Sequence, residues 1–243
     1  MNICFPEKNR EWQNQIVKKN YINIFITLFE FFYLGKLNKS NIRKYINFNG
    51  EVDENVFLDK EKLRFFISGH FSNWELSAFS FPLLFNEGLD IVVKTQANHR
   101  IDDKINELRR QSGNEVIHMG QSLRELYGKI HNKEIICFLI DQSAHSEYSV
   151  YAEFFGKKVA SFAGPAKLAL KFRPFILLGL NIRKENYQYE IITKEIIYDD
   201  LTEVNDDNIT ELTNRMQKHL EEVIKIYPDQ WLWFHKRFKY MKE

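Results

Sequence analysis

His70 and Glu75 stand five positions apart in the segment Gly-His-Phe-Ser-Asn-Trp-Glu-Leu, residues 69–76. Histidine is the side chain best suited to take a proton near neutral pH. A carboxylate folded back onto the imidazole would fix its tautomer and stabilise the imidazolium. On that reading His70 is a general base for a hydroxyl and Glu75 its orienting partner, an arrangement worth about 10² to 10⁴ in rate. The spacing alone is weak, because 7 His and 33 Asp+Glu supply about one such pair by chance. On spacing alone, a hydrogen-bonded histidine at a strand end is the better account of it.

The surroundings raise the value of the pair. Leu63 to Ser68 is a short apolar run that stops at Gly69, as a buried strand would, and Asn73 can cap a helix running to about Phe85. Further strands are expected at Leu89–Lys94, around Val116, at Glu134–Ile140, and as a pair at Phe175–Ile182 and Tyr189–Ile197. Helices are expected over Glu7–Gly35, Asp102–Ser112, Ser122–His131, Pro165–Phe172 and Asp207–Tyr227, with an aromatic and basic tail after the last. Alternating strands and helices predict one α/β domain over residues 1–243, with a mixed, mostly parallel sheet flanked by helices. In such sheets ligands bind beyond the carboxyl ends of the strands. Two polar clusters fall there, Gly69-His70 and Asp141-Gln142.

Composition removes several classes of function. Thirty-four Lys+Arg against 33 Asp+Glu give a net charge of +1, too little for a protein that holds nucleic acid by bulk electrostatics. Cys4 and Cys137 are the only cysteines and lie far apart, which disfavours a disulfide framework and a cysteine zinc site. No His-Glu-x-x-His or Gly-x-Ser-x-Gly occurs, so neither a helix-borne zinc hydrolase nor a serine hydrolase built around Ser161 is indicated, and no metal is expected. The apolar stretch Tyr21–Leu34 carries Glu30 and is shorter than the roughly 20 residues that span a bilayer. It reads as a buried or interfacial helix, and no cleaved secretory signal is evident.

Gly-His-Phe-x-Asn-Trp-Glu-Leu resembles the signature of the bacterial lipid A biosynthesis (late, lauroyl or myristoyl) acyltransferase family. The resemblance continues in order along the chain. It takes in Asn2–Glu7, Val93-Lys94-Thr95-Gln96-Ala97-Asn98 with Asp102, Leu108–Gly113, Asp141-Gln142, Phe154–Lys157, Gly164–Ala166 and Gln230–Lys239. It implies a glycerolipid-acyltransferase-like fold and transfer of a fatty acyl chain from acyl carrier protein, or from coenzyme A, to a hydroxyl of a glycolipid. It implies His70 as base with Glu75 orienting it, and Asn73, Lys94, Asn98, Arg109 and Asp141 as binding or support residues. Arg109 would hold a phosphate bidentately, and Asp141 would hold Arg109 or a donor group. No cofactor beyond the acyl thioester co-substrate is implied, and the setting would be the cytoplasmic face of the inner membrane, bound peripherally.

Departures from the pattern bear on the acceptor. Ser72 stands where the family has glycine, Lys94-Thr95 replaces Arg-Pro, and Ser143 follows Asp141-Gln142 where an acid is frequent. The family's usual N-terminal membrane helix has no counterpart in the expected elements. An aminolipid, a phosphoinositide mannoside or a pigment-type lipid are therefore alternative acceptors, and a non-catalytic lipid- or carrier-binding protein is the alternative of a different class. Phe65, Phe66, Phe79, Phe81 and Phe85 flank the motif as core or as lining for an acyl chain. The four basic residues between His235 and Lys242 suit anionic headgroups or a solvated end.

Overall fold

A computed structural model describes residues 1–50, 52–120, 123–144 and 149–242. The chain opens with helix α1 (Arg10–Phe31), followed by strand β1 (Ile46–Gly50), the short α2 (Glu54–Phe57), β2 (Arg64–Ser68) and α3 (Trp74–Phe85). Next come β3 (Asp90–Val93), α4 (His99–Gln111), β4 (Glu115–His118), α5 (Leu123–His131) and β5 (Ile135–Leu139). A hairpin, β6 (Ser149–Phe154) and β7 (Lys157–Phe162), precedes α6 (Gly164–Phe172), β8 (Phe175–Arg183), β9 (Tyr189–Glu195), α7 (Asp206–Ile226) and β10 (Met241–Lys242). The expected helix start at Ser122 lies outside the described residues.

Seven strands form one sheet in the order β1-β9-β8-β2-β5-β3-β4, parallel except where β8 meets β9. β2 and β5 sit side by side near its centre with Ser68 opposite Leu139. Their side chains are buried almost throughout, which explains why both read as continuous apolar runs rather than alternating ones. Phe65, Phe66, Phe79 and Phe81 are core residues, and Phe85 packs against them from the edge. The expected mixed, mostly parallel sheet flanked by helices is the architecture observed.

Among the strands, three features were not expected. β1 is an edge strand whose sequence, Ile-Asn-Phe-Asn-Gly, is half polar because only one side of it is covered. The β6–β7 hairpin turns through Phe155 and Gly156, both with positive φ, as a two-residue turn of this hand requires. Phe-Gly lacks the Asn-Gly or Asp-Gly signal that marks such turns in sequence. The third is β10, which pairs with β7 and ties down the end of the basic tail.

Helix α1 is amphipathic in the reverse sense. Gln13, Ile16, Asn20 and Thr27 are buried, whereas Tyr21, Phe25, Leu28, Phe29 and Phe32 face outward, the last two 69% and 77% exposed. Among the described residues no helix is long and apolar enough to cross a membrane. A helix end at Gly35 was expected, but α1 stops at Phe31 and a 3₁₀ turn, Leu34–Lys36, takes in the glycine.

Candidate active site

Because β2 and β5 are parallel neighbours, the loops leaving their carboxyl ends emerge together. The first carries His70, the second Asp141. His70 Nδ1 lies 2.8 Å from Asp141 Oδ1, and Asp141 Oδ2 accepts the His70 backbone N–H at 2.8 Å and Trp231 Nε1–H at 2.9 Å. A Cβ at Gly69 would press on Leu220 at 3.2 Å and touch the Asp141 carboxylate at 3.4 Å. The positive φ in this loop falls instead on Ser72, at +50°, the position where the resembled signature has glycine.

Electrostatics reinforce the pairing. Burial works against the charge on both partners, but each is offset by the other. His70 ends above its ordinary 6.5, raised by the Asp141 charge and hydrogen bond. Asp141, only 3% exposed, ends at about 2, held down by His70 and the Trp231 donor. An ionised Asp141 is acceptor-only, so Nδ1 carries the proton in the neutral imidazole and Nε2 is left as the basic nitrogen. The Gln142 side-chain nitrogen lies 3.3 Å from that Nε2.

Glu75, expected to fold back onto His70, turns its carboxylate to Arg109 instead and reaches His70 only through its charge. The first turn of α3 carries it toward α4, where Oε2 accepts from Arg109 Nε at 3.0 Å and Oε1 from Arg109 Nη2 at 2.5 Å. Trp74 stacks edge-on to His70 at 5.2 Å and donates its indole N–H to Glu75 at 3.2 Å, so it stands between the two. Arg109 is likewise corrected: its fork is filled by Glu75, and its remaining nitrogen donates to Asn106 at 3.1 Å rather than facing an open phosphate site. Asn106 in turn donates to Asp102 at 3.1 Å, and Asp102 accepts the Gln96 backbone N–H at 2.9 Å. The shared face of Asp102 and Arg109 therefore braces the Val93–Asn98 segment.

The other expected positions divide. Asn73 is the N-cap of α3, accepting from Leu76 N at 2.8 Å. Lys94 is exposed at the end of β3, near enough to His235 to help lower its pKa. Asn98 caps α4 through Arg100 N and Ile101 N and does not join the His70 cluster. Beside the Glu75–Arg109 pair, a cavity reaches between the sheet and α3, lined by Phe66, Trp74, Ala78, Cys137 and Leu139. Among the described residues no group of three or more His, Cys, Asp or Glu could hold a metal ion.

The carboxyl-terminal segment, an aromatic and basic tail by sequence, packs into the site. Trp231 is 2% exposed and Arg237 1%. Leu232 N donates to His70 O at 2.9 Å and Ser72 N to Gln230 O at 2.6 Å, so this segment runs antiparallel along the His70 loop. His235 Nε2 accepts the Ser143 backbone N–H at 2.8 Å, and burial keeps it below its ordinary pKa and neutral enough to do so. Arg237 donates to Ala160 O and Ser161 Oγ, both at 2.6 Å, and to Gln142 O at 3.4 Å, which ties this segment to the hairpin and to the loop after β5. Burial draws its guanidinium down to about 10. The Trp-x-Trp-x-His spacing of residues 231–235 was the available signal.

The role of Arg109 can be separated from that of its neighbour. Lysine cannot reproduce a two-point contact, so Arg109→Lys is expected to cost about 1–3 kcal/mol through the weakened Glu75 pair. Arg110 is exposed, and Arg110→Lys is expected to cost nothing measurable. Thermal melts of both variants, run beside acyl-transfer kinetics, check this. Equal behaviour would remove Arg109 from the site.

Comparison with known proteins converges on one group. A family described as "Bacterial lipid A biosynthesis acyltransferase" matches residues 1–240. The lipid A biosynthesis palmitoleoyltransferase of Escherichia coli (strain K12) is 23% identical over 242 residues, 98% of this chain and 76% of that protein. The lipid A biosynthesis acyltransferase of Shigella flexneri aligns with the same identity and coverage.

Proposed function

The chain belongs to the bacterial lipid A biosynthesis acyltransferase family, and from that premise we propose an O-acyl transfer onto a lipid A-type glycolipid with His70 as base and Asp141 as its orienting partner. It is an acyltransferase. The observation that carries the mechanism is the His70–Asp141 contact, which leaves Nε2 as the basic nitrogen. Residues 1–243 act as one catalytic domain in this reading.

The acceptor hydroxyl gives its proton to His70 Nε2 as its oxygen attacks the carbonyl carbon of the acyl thioester. The resulting imidazolium is stabilised by the buried, ionised Asp141. Collapse of the tetrahedral intermediate breaks the carbon–sulfur bond, and the imidazolium proton passes to the departing thiolate. Ester and thiol are the products, and His70 is returned neutral. The donor is the thioester of acyl carrier protein or of coenzyme A, and no cofactor beyond it enters the steps. Gln142, now at Nε2, marks where the acceptor hydroxyl would approach. Glu75 and Arg109 hold α3 against α4 and so fix the helix that begins beside His70.

The reverse-amphipathic α1 supports a peripheral seat on a membrane. Aromatic side chains turned outward along one helix face would lie in the interfacial region of the bilayer. Phe234, exposed and edge-on to Tyr21 at 5.0 Å, extends that face to within one residue of His235. Acyl thioesters are cytoplasmic metabolites, so the cytoplasmic face of the inner membrane is the side proposed.

Mass spectrometry of membrane lipids from cells with and without the gene tests the substrate. A glycolipid heavier by one acyl chain, present only with the gene, is expected. An added acyl chain on an aminolipid or pigment lipid instead would overturn the acceptor.

A further inference from the structure

Beside apolar contacts at Trp12, Ile16 and Phe31, helix α1 meets the rest of the protein through polar side chains, and these converge on the His70 loop. The Thr27 hydroxyl is shared between Asn23 O at 3.0 Å and Ser72 O at 3.3 Å. One turn on, Glu30 Oε2 accepts from Asn73 Nδ2 at 2.9 Å, from Arg183 Nη2 at 3.1 Å and from the Tyr189 hydroxyl. Arg183 returns to the same helix through Asn23 Oδ1 at 2.6 Å and Thr27 Oγ1 at 3.0 Å. Ser72 and Asn73 are consecutive and stand between His70 and Glu75. Both are buried.

The role of Asn73 explains why Glu30 matters. Its amide has one accepting and one donating end. The accepting Oδ1 caps α3 at Leu76 N, while its backbone carbonyl is held by Asn181 Nδ2 at 2.8 Å. The donating Nδ2 ends on Glu30. Glu30 and the Leu76 N–H therefore fix the amide from its two ends, and Glu30 rewards the orientation that leaves the oxygen on the helix. We propose that Glu30 is a positioning residue for acyl transfer, transmitting the seating of α1 to the His70 loop through the Asn73 cap. This rests on the acyl-transfer reading above. Nothing in α1 touches the reacting atoms. It sets the loop that carries them.

The test is a double-mutant cycle read in kcat. The substrates are a dodecanoyl thioester of acyl carrier protein and a lipid A precursor in detergent micelles. Glu30→Gln keeps the size of the side chain and removes its charge. It is expected to lower kcat about tenfold, with KM for the thioester within about twofold of wild type. The pH midpoint of the rate should stay put, because the His70–Asp141 pair is intact. In an Asn73→Ala background the same Glu30→Gln change should cost less than about twofold more, since the link is already broken. Glu30→Asp keeps the charge for Arg183 but withdraws the oxygen from Asn73. It is expected to show the same kcat loss, and it serves should the glutamine variant fold poorly. Wild-type kcat in both Glu30 variants, or a loss that multiplies in full on Asn73→Ala, would overturn the coupling. An inert wild type would instead overturn the acyl-transfer reading itself.

Discussion

Asp141→Asn is expected to lower kcat by about 10³ to 10⁴, the scale known for a buried aspartate that orients a catalytic histidine. Two physical effects combine. Asparagine carries no charge to stabilise the imidazolium, and its amide can donate to Nδ1, which moves the imidazole proton to Nε2 and removes the base. The pH profile carries a separate signature. In the wild type His70 lies above 6.5, so the neutral base accumulates, and the rate climbs, through a midpoint above that value. Without the Asp141 charge and hydrogen bond, burial outweighs the remaining push from the Glu75 charge and lowers the histidine, so the residual limb should move to more acid pH.

Stability follows the same pair with the sign worked out. Asp141 is depressed from 3.8 to about 2, so its contribution is present above 3.8 and lost as pH falls toward 2. His70 is raised, so its contribution is present below 6.5 and lost as pH rises through its folded value. Their joint stabilisation is thus expected between about pH 4 and the raised histidine value, and Asp141→Asn should flatten the melting temperature across that window. An unmoved rate midpoint together with an unchanged melting profile would show that the pair is not coupled.

The second large effect concerns attachment. Replacing Phe25, Phe29 and Phe32 together with serine is expected to weaken binding to vesicles of anionic phospholipid by about 10³-fold, from roughly 1.5 kcal/mol of apolar transfer per ring. The fold should be spared, because all three side chains face outward. High salt is expected to matter less. Of the four cations expected to form a basic tail, Arg237 is buried, while Lys236, Lys239 and Lys242 are exposed, Lys239 4.7 Å over the Tyr240 ring and Lys242 3.7 Å over the Tyr151 ring. Sedimentation with vesicles at low and high salt measures both terms. Undiminished binding of the triple variant would place the membrane contact elsewhere.

Much of this was legible from local pattern. The buried runs at β2 and β5, the Asn73 cap and the paired strands β8 and β9 each carry a signal within a few residues. What was not legible depends on contacts between distant segments. Spacing brings Glu75 within reach of His70, but Asp141 arrives from a neighbouring parallel strand 71 residues away, and no periodicity announces that. Trp231 reads as a tail aromatic until the antiparallel run along the His70 loop gives its N–H a buried carboxylate to meet. Glu30 reads as a blemish in an apolar helix, whereas it is the inward polar anchor of a helix whose apolar side faces out.

His70 itself provides the most direct measurement. His70→Ala would strand a buried Asp141 oxygen at a cost of about 1–3 kcal/mol, so stability and catalysis would change together. His70→Gln keeps a donor for Asp141 and removes only the base. Initial rates of acyl transfer from a carrier-protein thioester to a lipid A precursor, with melting temperatures taken on the same samples, decide the point. The expected result is a folded His70→Gln protein with turnover reduced at least about 10²-fold. Wild-type turnover by a folded His70→Gln protein would contradict His70 as the base.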